Sequence, residues 1–152
     1  MSETIFDALR ESHQRQRALC RKLLRSKPGG VDRRSVVKAL RCECAAHAAA
    51  EERFLYAVIL LDDAGLQSSR HAIAEHHDID ELAQALTATD TSSRAWLRPA
   101  KSLSKSIHHH LKEEESCFFQ ASGRILSATK KRSLARQYEK DYARMLEKLL
   151  DD

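Results

Sequence analysis

"HAAAEERFLY", residues 47–56, is the stretch on which the fold reading turns. It lies inside a long helix-periodic pattern and sets His47 and Glu51 one turn apart on an otherwise apolar face. Sixty residues on, "HHHLKEEESCFF" (108–119) repeats the spacing with His110 and Glu114. An imidazole and a carboxylate turned toward a core need a partner, and a metal ion is one.

The pattern around the first stretch runs from about Asp32 to Asp62, with an inward stripe of Val37, Leu40, Cys44, His47, Glu51, Leu55 and Ile59. Before it, a helix is expected from about Ser2 to Ser26, stopped by "KPGG" (27–30), with Phe6, Leu9, His13, Gln16, Cys20 and Leu23 inward. A third helix is expected from about Gln67 to Leu86, with Ile73, His76, Ile79, Leu82 or Ala83, and Leu86 facing in. A fourth should start near Ser92 or Ser93 and reach about Ile125, its seam Leu103, Ile107, His110, Glu114, then Cys117 or Phe118. Pro99 inside that span marks a kink, or else Trp96 belongs to a separate entry turn. A fifth pattern, 127–150, carries Leu134, Tyr138, Tyr142 or Ala143, Leu146 and Leu150, with no metal-capable residue on its stripe.

These patterns predict an all-α chain: an antiparallel up-down four-helix bundle with an additional C-terminal helix, one domain over residues 1–152. Only 4 Gly and 2 Pro in 152 residues argue against an all-β fold. A net charge of +4 with scattered basic residues gives no reason to expect a nucleic-acid partner. No stretch approaches the roughly 20 apolar residues of a membrane span, and the polar N-terminus has no signal-peptide core. A cytoplasmic location with reduced Cys20, Cys42, Cys44 and Cys117 is therefore expected.

Each of the first four seams carries one histidine near mid-helix: His13, His47, His76 and His110. Two add an acid one turn later, Glu51 and Glu114. In an up-down bundle all six meet at one height. Two ionised carboxylates among Leu and Ile cost several kcal/mol each unless positive charge is near, and no Lys lies on these seams. Four imidazoles and two carboxylates exceed one tetrahedral zinc. They suit two ions, bridged by the glutamates with histidines as terminal ligands. The mixed N and O donors favour iron, then manganese, with zinc as a substitute. A single histidine on such a stripe is commonly a hydrogen-bonded core residue. Four seams with one each, two of them acid-bearing, are hard to reach by chance.

At these residues the sequence resembles the hemerythrin-like, or HHE cation-binding, family. The similarity rests on "DALRESHQRQRALC", "HAAAEERFLYAVIL", "AEHHDIDELAQAL" and "HHHLKEEESCFF" and covers roughly residues 3–150. It implies a four-helix bundle around a di-iron centre that binds or senses O2, peroxide or NO, or handles iron. An enzyme of peroxidase, oxidase or iron-centre-repair type is the alternative it implies. It places ligands at the same six residues that the periodicity selects. Two positions depart from the family pattern: Ala72 stands where oxygen carriers have a second helix-three histidine, with His71 one residue off, and Gln120 stands where many relatives have proline. One ion is then left with a position for water, a small gas or His71. His77, His108 and His109 are expected on solvated flanks. Glu52, Glu113 and Glu115 are expected on a solvated face or behind the ligand imidazoles. Cys20, Cys44 and Cys117 are read as packing residues, with thiol oxidation near the irons as the sharper alternative. Tyr56, five residues after Glu51, is a proton-donor candidate. A homodimer or a partner protein is compatible with the sequence.

Overall fold

Thr4 opens the first helix through a capping box. Its hydroxyl accepts from the Asp7 N–H at 3.3 Å, and the Asp7 carboxylate accepts from the Thr4 N–H at 3.0 Å. The computed structural model describes residues 4–29 and 31–152. The expected start at Ser2 and the last glycine of "KPGG" lie outside the described residues.

Helix α1 spans Ile5–Arg25. Helix α2 spans Val31–Glu51, runs on through a π-helical turn at Glu52–Tyr56, and finishes as a short α-helical piece, Ala57–Ile59. The long pattern is thus interrupted, and it ends before Asp62, where Leu60 to Gly65 reverse the chain. Helix α3 spans Leu66–Thr87. A 3₁₀ turn, Arg94–Trp96, capped by the Ser93 hydroxyl on the Ala95 N–H at 3.1 Å, leads into α4, Leu97–Glu113. Pro99 sits in the first turn of α4, where its missing N–H would have had no partner anyway, so it neither kinks nor breaks the helix. Trp96 does belong to a separate entry turn. Helix α4 also passes into a π-helical turn, Glu114–Phe118, and closes with Phe119–Ile125. Helix α5, Ala128–Asp151, starts at Ser127, whose hydroxyl accepts from the Lys130 N–H at 3.1 Å.

Short connections reverse the chain between consecutive helices. Helix α1 lies against α2 and α4, and α3 against α2 and α4, which closes the four-helix ring; α5 lies along α1 and α2 from outside. The first four inward stripes face the interior as their periodicity requires; on the fifth, Leu134 and Tyr138 are buried and Leu146 is only partly covered. Where the pattern left a choice, Ala83 and Phe118 turn inward, Tyr142 and Leu82 are partly covered, and Ala143 and Cys117 are exposed. Leu150 is exposed.

The apolar interior comes in two blocks. One joins Phe6, Leu9, Leu55, Ile59, Phe118 and Leu134. The other joins Leu23, Leu40, Leu86, Trp96, Leu103 and Ile107. The second block is tied at its end by buried Arg33, whose guanidinium lies 3.7 Å from the Trp96 ring centre and donates to the Thr91 carbonyl at 2.8 Å and the Ser26 carbonyl at 2.9 Å. Between the blocks lies a polar layer.

Two glycines separate close approach from mere helix weakening. A Cβ on Gly65 would stand 2.6 Å from the Ile59 carbonyl oxygen and overlap the Ile59 side chain. Gly65→Ala should therefore cost about 1–3 kcal/mol. On Gly123 the Cβ would meet, among the described residues, nothing nearer than Phe6 at 3.9 Å, so Gly123→Ala should gain about 0.5–1 kcal/mol from helix propensity. Urea unfolding of both variants checks the pair, and equal effects would contradict the tight turn at Gly65.

Candidate metal centre

The polar layer is built from helix periodicity. On α2 and α4 the i, i+4 spacing stacks His47 over Glu51 and His110 over Glu114. α1 and α3 each project one imidazole at the same height, His13 and His76. All six side chains are at least nine-tenths buried. Every one of the residues singled out by the sequence pattern is brought into one cluster.

The cluster has two halves that share both acids. His13, His47, Glu51 and Glu114 offer ligand atoms within 4.8 Å of one another, and so do Glu51, His76, His110 and Glu114. His13 Nε2 lies 3.1 Å from Glu114 Oε1, and His47 and His76 Nε2 each lie 3.2 Å from Glu51 Oε1. His110 Nε2 lies 3.6 Å from Glu114 Oε2.

The outward nitrogens are anchored. Nδ1 of His13 meets Glu115 at 2.7 Å, of His47 the Tyr138 hydroxyl at 3.0 Å, of His76 Glu52 at 3.2 Å, and of His110 Glu75 at 2.9 Å. Arg17 in turn clamps both oxygens of Glu115, at 2.9 and 3.0 Å. The inward atoms are not so served. Nε2 of all four histidines, Oε2 of Glu51 and Oε1 of Glu114 are buried without a hydrogen-bond partner; the close nitrogen–oxygen distances lack hydrogen-bond geometry. Leaving one such atom unsatisfied costs about 1–3 kcal/mol. Six in one place, on imidazoles whose Nδ1 is held from behind, is the posture of metal ligands. The residues present therefore fit cations lying between them.

Electrostatics in the metal-free protein point the same way. Burial works against charge on His13, but Glu114 and Glu115 outweigh it and hold its pKa up at about 9. His76 is likewise raised to about 10, against its burial, by Glu51 and Glu52. Burial wins at His47, which is lowered despite Glu51. Burial opposes charge on Glu51 as well, yet His47 and His76 keep it well below the usual carboxylate range. The hydrogen bond from His13 brings Glu115 down to about 2. Imidazoles raised above 6.5 stabilise the metal-free fold fully below that pH, and the contribution fades as pH climbs through about 9 to 10. That of Glu115 is present above about 4.5 and fades as pH falls through about 2.

The π turns bear on the centre directly. One follows Glu51 and the other begins at Glu114, and a π turn is wider than an α turn. In an α-helix a residue five positions on swings off the face; the wider turn brings Tyr56 back over Glu51. Its hydroxyl donates to Glu51 Oε1 at 2.8 Å and lies against Glu114 as well, so one phenol proton serves both carboxylates. Burial pushes that phenol well above its usual range.

The remaining histidines lie outside this layer. His71 is turned out to Glu75 and Glu113, at 3.6 and 3.3 Å, and does not reach the centre; Ala72 is buried in its place. His77 is exposed and pairs with Glu81 at 3.1 Å. His108 bonds the Ser104 carbonyl at 2.8 Å, and His109 lies 3.1 Å from Glu113. Of the acids expected on a solvated face or behind the imidazoles, Glu52 and Glu115 do stand behind them, while Glu113 faces the outer histidines. Two anchors, Glu75 and Tyr138, carry no local sequence signal, because their partners lie on other helices. A tyrosine on a buried stripe did hint that its hydroxyl would need a partner.

A cavity of about 520 Å³ between α2 and α3 is lined by exposed Arg41 and His77 and by buried His47, His76 and His110, together with Ala45, Ala48 and Ala49. Cys44 also lines it, its Sγ 3.6 Å from Gln16 Oε1. Burial pushes the Cys44 thiol well above its usual range and Cys20 to about 11, which keeps both protonated.

Among solved structures, a hemerythrin HHE cation binding domain-containing protein from Mycobacterium kansasii is similar, with a TM-score of 0.86 at 18% identity over 95% of this chain and 88% of that one. At that identity the likeness carries the fold alone. None of the curated proteins matches the chain. The family model described as the hemerythrin HHE cation binding domain matches residues 4–122, a span that holds all six inward ligand-type residues. By that match, the chain belongs to the hemerythrin HHE cation-binding domain family.

Proposed function

We propose that the chain binds two iron ions between His13, His47, His76 and His110, with Glu51 and Glu114 shared by both, and uses them to bind or sense O2, peroxide or NO. The six buried ligand atoms without a hydrogen-bond partner carry this reading. One ion would sit among His13, His47, Glu51 and Glu114, the other among His76, His110 and the same two acids. Nitrogen and oxygen donors together suit iron above other common metals. Bound iron would supply the open coordination positions and the redox capacity that a small oxidising ligand needs.

The chain's own groups do the rest. Glu52, Glu75, Glu115 and Tyr138 fix the rings and their tautomers. With Ala72 behind it and His71 turned away, the His76 ion would have two imidazoles and room for a further ligand. The cavity between α2 and α3 would be the way in.

Two observations favour a second reading, an enzyme that turns over peroxide. Tyr56 holds a proton against both carboxylates at the centre, and the approach cavity is larger than a diatomic gas requires. Peroxide consumption beyond one equivalent per iron pair would select the enzyme; gas binding with a visible-band change and no turnover would select the sensor. In the enzyme case Tyr56→Phe should cut turnover while leaving iron content in place.

Elemental analysis and an optical spectrum on fresh protein test the site. His47→Ala and Glu51→Ala should each lose at least one ion, while His77→Ala keeps the full content. A full iron complement in Glu51→Ala would refute the assignment. Proton release offers an independent check. His13 and His76 are held charged at neutral pH in the metal-free protein, so each incoming ion must displace one proton. The affinity for each ion should rise about tenfold per pH unit from pH 7 toward about 9. Calorimetry in buffers of different ionisation enthalpy reads this directly, and pH-independent binding would contradict it.

A further inference from the structure

Outside the buried layer, a second set of ligand atoms converges on the surface between α3 and α4. His71 and Glu75 lie one turn apart on α3, and His109 and Glu113 one turn apart on α4. His109 and Glu113 each precede by one residue the pair that faces the interior. The turn of the helix therefore presents one His–Glu pair inward and the next outward. His71 Nε2 lies 3.6 Å from Glu75 Oε2 and 3.3 Å from Glu113 Oε1. His109 Nε2 lies 3.6 Å from the same Glu75 oxygen and 3.1 Å from Glu113 Oε2. Ligands at 2.0–2.1 Å around a tetrahedral ion stand about 3.3–3.4 Å apart. His71, Glu75 and Glu113 offer ligand atoms within 4.8 Å of one another, and His109 stands beside them against Glu75 Oε2 and the other Glu113 oxygen.

This outer set touches the buried centre at two points. Glu75 gives Oε2 to the outer histidines while its Oε1 holds His110 Nδ1 at 2.9 Å. A small cavity of about 50 Å³ is lined by His71, Glu75 and Glu113 on the outer side and by His110 and Glu114 on the inner. We propose that His71, Glu75, His109 and Glu113 bind an exchangeable divalent transition-metal ion, and that this surface site is where metal is captured before it passes to the buried centre. Binding at the outer site stands on its own geometry; the loading role rests on the two-ion reading above.

Both outer histidines are more than half exposed, 57% and 68%, so replacing them should leave the fold intact, and a circular-dichroism melt checks that. Equilibrium dialysis against Zn²⁺ alone should show that H71A/H109A binds one equivalent fewer than the parent. The same one-equivalent loss should appear when H71A/H109A is added to an H47A/E51A background in which the buried centre is broken. Glu113→Gln should also weaken that equivalent. Unchanged zinc stoichiometry and affinity in H71A/H109A would overturn the site. Stopped-flow loading with limiting Fe²⁺ then tests the route: H71A/H109A should reach the parent's final buried content more slowly, and an equal rate would overturn the capture role. The two readings fail separately. Glu51→Ala with full metal content removes the buried assignment, whereas a lost zinc equivalent in H71A/H109A would still establish the outer site.

Discussion

The structure depends on burying two carboxylates and four imidazoles between two apolar blocks. Neither block tolerates an unpaired charge. The protein meets this constraint from behind: each imidazole is held at Nδ1 by a group from another helix, while the Nε2 atoms are left to face one another across the layer. The inner faces of four helices are thereby fixed in height and rotation. A one-residue slip of α2 would put Ala46 and Ala50 where His47 and Glu51 stand.

The anchors explain why α5 matters to a centre it does not line with an imidazole or acid. Tyr138 reaches from α5 to His47, and on the same helix Asp141 and Tyr142 bind Arg53 and Glu43. Glu43 in turn accepts from Ser12 at 2.9 Å and from Arg15 at 3.1 Å. This network ties α5 to α1 and α2 beside the polar layer. The family model ends at residue 122, before α5 begins. In this chain the fifth helix is nevertheless part of the scaffold that orients His47.

Much of this was legible in the amino-acid order. Stripes such as Leu103, Ile107, His110 and Glu114 fall at alternating three- and four-residue steps, so they must share one helix face whatever the rest of the molecule does. The same arithmetic brought His13, His47, Glu51 and His76 to their inward positions. It faltered where the helix departs from 3.6 residues per turn. After Glu114 it left Cys117 or Phe118 open, and the structure buries Phe118; after Glu51 the π turn recruits Tyr56, which lies off the α-helical face. Spacing rules assume an α-helix, and nothing local in "EERFLY" or "EESCF" announces the wider turn.

Local order along the chain determined the helices, their buried faces and the six inward ligand-type residues, because each follows from periodicity, caps and the cost of burying charge. What only the tertiary structure decided is which groups stand behind the ligands. Glu75 and His110 are 35 residues apart and Tyr138 and His47 are 91 apart, and their meeting depends on how the helices sit against one another. The outward cluster of His71, Glu75, His109 and Glu113 has the same origin: each His–Glu pair is local, but their convergence is a property of the groove between α3 and α4.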